Sequence, residues 1–301
     1  MRAAALLAAA LFAGTAAAAQ PPAPAGQLYP ILAEAARTGW TADRRRDAAE
    51  LTLALGDVDA ALAHYEAALL IDPHDEITAR RTAELAVQNS RWDHAADALR
   101  RLIALLPDDP WANLHLGLLL APAAPHDSLT FLRRAAQTGM APPAELIETI
   151  EQFADARTGL PLAVGAVMTD AALYGYAERA FELAVALDPD TAQALASVAL
   201  VRAIQGKDGA PWLDQALSLG SESAQLYVAA GLYYRAVGQD FISLEMFLNA
   251  LSRDPLNPEI NAEVSTTYGL LGDTATADFW AQQAQLLARG MRAPDAPPLE
   301  P

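Results

Sequence analysis

The chain has 301 residues, 53% of them hydrophobic, with 20 Lys and Arg against 37 Asp and Glu and a formal charge of -17. This is the composition of a folded, acidic protein, and it speaks against nucleic acid as a partner, because binding to phosphates draws most of its affinity from a basic surface. With no cysteine there is no disulfide, no thiol nucleophile and no lipid-acceptor thiol, so a bacterial lipoprotein is excluded.

Residues 1–19 read as a secretory signal peptide: Arg2 gives a short basic start, Ala3 to Ala13 an apolar helical stretch, and Ala17, Ala18 and Ala19 the small residues before a cleavage point at Gln20. The expected product is a soluble exported protein, periplasmic or extracellular. The competing reading is an uncleaved anchor, against which stand Gly14 and Thr15 and the low hydrophobicity of alanine. No later segment is long and apolar enough to span a bilayer. Residues 20–41 read as a linker and a short capping helix over Leu28 to Arg37, placed to cover the open end of a helical stack that begins at Ala42.

From Ala42 a repeat sets in. Residues Ala68, Leu102, Ala136, Ala184, Ala216, Ala250 and Ala284 recur at steps of 34, 34, 48, 32, 34 and 34. A period in that range marks units that cannot bury an apolar face alone and must stack on one another. With Ala42 as position 1, position 8 is small throughout: Ala49, Ala83, Gly117, Gly165, Ala199, Gly231 and Ser265. Position 20 is Ala61, Ala95, Ala177, Ser243 or Ala277, and position 24 is bulky: Tyr65, Leu99, Phe181, Leu213 or Phe247. Small residues at 8 and 20 let two helices cross closely while the bulk at 24 fills the space beside them. Gly56, Gly238 and Gly272 end first helices, and Pro73, Pro107, Pro189 and Pro255 end second ones.

These residues resemble the tetratricopeptide repeat family, whose pattern has small residues at 8, 20 and 27, an aromatic at 24 and proline at 32; the best match is Tyr227, Gly231, Tyr234, Gly238, Phe247, Ala250 and Pro255. The resemblance implies an all-α fold, a right-handed α-solenoid (superhelix) of about seven helical hairpins. Repeats 1–3 occupy residues 42–143 and repeats 4–7 residues 158–291. Units at about 110–143 and 192–223 are degenerate, the first with Arg133 at position 24 and the second two residues short. Between the blocks, residues 144–157 read as an inserted helix with Leu146, Ile147, Ile150 and Phe153 on one face, either a strut across an imperfect junction or a hinge and docking element. Residues 292–301 are rich in proline and are expected to be disordered.

Catalytic and metal motifs are absent from the sequence pattern. His64, His74, His94, His115 and His126 form no helical ligand pair, and there is no nucleophile elbow or phosphate loop, so no cofactor, no metal and no enzyme activity are expected. By the resemblance, function belongs to the concave face, lined by first-helix positions 2, 5, 9 and 12. In the first units these include Asp43, Arg46, Glu50, Ile77, Arg80, Glu84 and Val87, with Arg81 beside them; farther on they are Trp111, Leu114, Leu118, Leu162, Leu200, Val228 and Leu232. Arg46 with Glu50 and Arg80 with Glu84 are four residues apart, which allows internal salt bridges or, alternatively, arginines that hold an acidic group of a partner. The expected function is a non-catalytic exported adaptor for a protein or peptide segment in a cell-envelope assembly. The alternatives are a self-associating scaffold, a homo-oligomer, and a module associated with an enzyme.

Overall fold

The computed structural model describes residues 23–220 and 222–291; the segments expected to be a signal peptide and a disordered tail lie outside the described residues. Among the described residues there are sixteen α-helices and no strand. The described residues are all-α, and the chain divides into two compact units, Met1–Pro107 and Asp108–Pro301.

The first unit holds α1 (Ala23–Thr38), α2 (Ala42–Ala54), α3 (Val58–Ile71), α4 (Glu76–Gln88) and α5 (Trp92–Leu105). Each packs on its chain neighbours, α1 against α2 included. The second unit holds α6 (Pro110–Leu120), α7 (Pro125–Gln137), α8 (Leu146–Phe153), α9 (Gly159–Asp170), α10 (Tyr174–Leu187), α11 (Ala192–Ile204), α12 (Ala210–Leu219), α13 (Ala224–Ala236), α14 (Asp240–Arg253), α15 (Pro258–Leu270) and α16 (Thr274–Ala288). Here too packing runs between neighbours, as expected of stacked hairpins, except that α11 also packs directly on α13 past the short α12. Helix α8 lies between α7 and α9, with Leu146 and Ile150 fully buried and Arg133 of α7 donating to Glu151.

Local chemistry explains where the helices start and stop. Thr41, Asp57, Asp75, Asp109 and Asp273 are N-caps whose side-chain oxygens accept from the amide three residues on, satisfying one of the open donors of the first turn. Except for α6, first helices close through a residue at positive φ, in most of them a glycine, for example Gly238 at +75°. Ser90 and Ala172 occupy the same place at φ 54° and 57°, where a Cβ is sterically disfavoured.

The crossings follow the small and bulky pattern. A Cβ built on Gly231 would lie 2.7 Å from the Phe247 ring, and one on Gly165 would lie 2.4 Å from the Phe181 ring. Three serine hydroxyls bind across the same gap: Ser128 Oγ donates to the Gly117 carbonyl at 2.8 Å, Ser243 Oγ to that of Gly231 at 2.9 Å and Ser265 Oγ to that of Ala277 at 2.7 Å. Serine at a crossing is thus nearly as short as alanine and adds a bond between the two helices.

The two degenerate hairpins correct the sequence register. In the third, Pro125 opens α7 one residue earlier in the repeat than in its neighbours. Ser128, Leu132 and Ala135 therefore take the crossing, bulky and small places; Ala135 is buried, while Ala136, the residue the period selects, is exposed, and Arg133 points away from the core. In the short hairpin α12 lacks its first turn, and Gly209 fills the crossing so closely that a Cβ would meet the Ala199 carbonyl oxygen at 2.4 Å. This joint is braced by Glu178, only 7% exposed, which accepts from Arg202 Nη1 at 2.9 Å, Gln205 Nε2 at 2.9 Å and Lys207 Nζ at 2.6 Å.

Two substitutions should move stability in opposite directions. Ala172→Gly relieves a left-handed alanine and is expected to raise the urea midpoint, by the equivalent of about 0.5–1 kcal/mol. Gly231→Ala forces α13 and α14 apart and is expected to lower it, by about 1–3 kcal/mol.

Candidate functional site

In the first unit the first-helix face is an ion-pair ladder that runs between hairpins. Arg46 does not pair with Glu50: it bonds Asp43 on its own helix and Asp75, the N-cap of α4. Glu50 instead meets Arg81 of the next first helix at 3.4 Å and accepts from the hydroxyl of Tyr65, the bulky residue of the first crossing. That hydroxyl bond, ahead of the Arg81 charge, holds the Glu50 carboxyl below its ordinary range, whereas burial and then Glu50 push the Tyr65 phenol up to about 12. The expected pair of Arg80 and Glu84 is present, at a loose 3.8 Å. Each such pair is partly solvated and contributes little stability by itself.

Arg80, Arg81 and Glu84 also line an open depression of about 300 Å³, together with Glu76, Ile77 and Leu106. Ile77 is 82% exposed, so the depression holds an uncovered apolar side chain in one lining with two arginines. Leu106 is legible in sequence only as the residue before a helix-stopping proline; its place in this wall is decided by how α5 ends.

In the second unit two of the seven expected lining residues are consumed by packing and five are half-buried. Leu118 is 2% exposed and Leu200 8%, so both belong to the core and present no surface to a partner. Val228 and Leu232 pack, half-buried, against the core formed around Phe247 and Trp280, and Leu114 and Leu162 are also half-buried. Trp111 packs against His115 with ring centroids 4.4 Å apart and planes tilted by 47°, and His115 Nδ1 lies 2.6 Å from the Tyr176 hydroxyl of α10. In sequence His115 stands isolated, since this partner lies 61 residues away. Burial pushes the His115 imidazole down to about 4, so the ring is neutral at pH 7, and burial also raises the Tyr176 phenol. Among the described residues no group of three or more His, Asp or Glu side chains could hold a metal ion, and no helix is long and apolar enough to cross a membrane.

A small residue at position 8 is crossed by bulk at position 24, and the pattern repeats at a spacing of about 34 residues. The hairpins resemble tetratricopeptide repeats. No protein-family model matches the chain, and no curated protein matches it either. Solved structures similar to it include a tetratricopeptide repeat protein from Parabacteroides merdae (14% identity, 81% of this chain and 92% of that one, TM-score 0.36). YrrB, described as a TPR protein with an unusual peptide-binding site, shares 16% identity over 65% of this chain and 94% of its own, with TM-score 0.35. PilW, described as a widely conserved type IV pilus biogenesis factor, shares 17% identity over 83% and 93% of the two chains, with TM-score 0.30. What these structures share with the chain is an all-helical architecture, and the likeness to tetratricopeptide hairpins lies in the crossings of this chain.

The neutral His115 makes a pH test available. Its folded-state pKa lies below the ordinary 6.5, so the unfolded chain binds the extra proton between about 4 and 6.5; the stability it contributes is complete above pH 6.5 and is lost as pH falls toward 4. The loss is at most about 3 kcal/mol. The urea midpoint should fall between pH 7 and pH 4.5, and His115→Gln, which keeps a hydrogen-bonding partner for Tyr176, should flatten that fall.

Proposed function

We propose that this protein is a non-catalytic adaptor that holds a protein or peptide segment on the face carried by the first helices of its hairpins. The single observation that carries this reading is the depression on α4, where the exposed Ile77 adjoins Arg80 and Arg81. An apolar side chain of a partner would cover Ile77 and Leu106, and a neighbouring carboxylate would meet the arginines, whose planar forks suit two-point contact with a carboxylate. Arg81 is already held in place through Glu50 and Tyr65, so a partner carboxylate would find it ordered rather than having to order it.

The finer reading places the adaptor in an exported, cell-envelope assembly. It rests on the signal-like composition of residues 1–19 and on the acidic, cysteine-free chain. The first-helix residues of the second unit would contribute through their half-exposed members Trp111, Leu114, Leu162, Val228 and Leu232.

A displayed library of random peptides, selected on the full chain, tests the proposal. Selected ligands should share an apolar residue next to an acidic one. Ile77→Asp, or Arg80→Ala with Arg81→Ala, should weaken a selected peptide about tenfold or more, in line with the loss of a charge-assisted bond. Binding that is unchanged in both variants would remove this face as the peptide site.

A further inference from the structure

A second depression, of about 390 Å³, lies between the second helices α3 and α5. Its floor is the buried Leu69, Thr82 and Ala98, and its rim carries the carboxylates of Glu66, Asp93 and Asp97. We propose that this groove is a docking site for a basic segment of a partner polypeptide, taking a Lys or Arg side chain with its stem on the apolar floor and its cation among the three carboxylates.

Three features fit that occupant. The floor is apolar apart from Thr82, whose hydroxyl donates to the Thr78 carbonyl, and the lining includes Leu70, which is 76% exposed; the long stem of a basic side chain covers such surface while keeping its charge outside. The rim is acidic, but its charges are not locked away. Glu66 has one oxygen, Oε1, 2.5 Å from His94 Nδ1, and a carboxylate accepts several donors; Asp97 meets Arg100 at 3.3 Å with both side chains largely in solvent. Finally, Arg101 lines the groove with its Nη1 donating to the Leu69 carbonyl at 3.0 Å, and among the described residues no ion pair joins it to Glu66, Asp93 or Asp97. That bond fixes one wall, and Glu66, Asp93 and Asp97 line the groove beside it. A neutral or acidic peptide would find an acidic rim that repels it or that it cannot satisfy.

This groove shares no lining residue with the depression at Ile77 and Arg80 and does not rest on the function proposed above. It is tested with the full chain and a fluorescein-labelled peptide in which two arginines flank a leucine, using a twin with citrulline in place of arginine as the uncharged probe. Anisotropy titration should show binding of the arginine peptide and at least tenfold weaker binding of the twin. Photo-cross-links from the arginine peptide should map to residues 66–70 and 93–101. Asp93→Asn with Asp97→Asn should weaken binding about tenfold, while a charge-matched control elsewhere, Asp127→Asn with Glu148→Gln, and the pair Arg80→Ala with Arg81→Ala should leave it unchanged. The proposal is overturned if the arginine peptide does not bind, if the twin binds equally, if cross-links scatter over the second unit, or if the control weakens binding as much as the groove variant, which would reduce the effect to attraction by the overall negative charge.

Discussion

How closely two helices can cross within one hairpin governs everything else in this fold. At Gly231 and Gly165 the phenyl ring of the second helix occupies the volume that a Cβ would need, and at Gly209 the backbone of the neighbouring helix does. Such contact is available only if one partner has almost no side chain, and it is worth having because interiors pack near crystalline density. The small residue sets the distance, the bulky residue uses it, and a serine, where one stands at the crossing, adds a hydrogen bond to the carbonyl opposite.

Because each hairpin binds mainly the next, the chain tolerates irregular members provided that each local junction is completed. The shortened hairpin replaces the missing first turn of α12 with a glycine contact and with Glu178, whose carboxylate ties together Arg202, Gln205 and Lys207. The inserted α8 is held through Leu146 and Ile150 and through the bond of Arg133 to Glu151. The residue that breaks the bulky pattern at position 24, Arg133, thereby gains a role at the insertion.

Charge is organised across hairpins in the first unit. Arg46 reaches Asp75 and Arg81 reaches Glu50, so successive first helices are linked by ion pairs in addition to apolar packing. The two depressions of this unit carry opposite chemistry: arginines beside an exposed isoleucine on one, carboxylates around an apolar floor on the other. The two surfaces therefore differ in the sign of the charge that complements them, a difference that acts at encounter as well as in a bound state.

Helical class, repeat period, crossing residues and most helix ends are legible in the amino-acid order alone, because they depend on contacts close in the chain or on residue size at fixed spacing. So is the grouping of Arg46, Glu50, Arg80, Arg81 and Glu84 on one face. Their partners are not, since a guanidinium on a helix can reach a residue four positions along or one in the next hairpin, and the distance between hairpins is not written in either. For the same reason it takes the folded chain to show that Leu118 and Leu200 are core, that Ala135 rather than Ala136 fills its rung, that His115 meets Tyr176, and that Glu66, Asp93 and Asp97 converge on one groove. Each depends on how a whole hairpin is seated against the next, and a shift of one residue turns a side chain by about 100° around its helix.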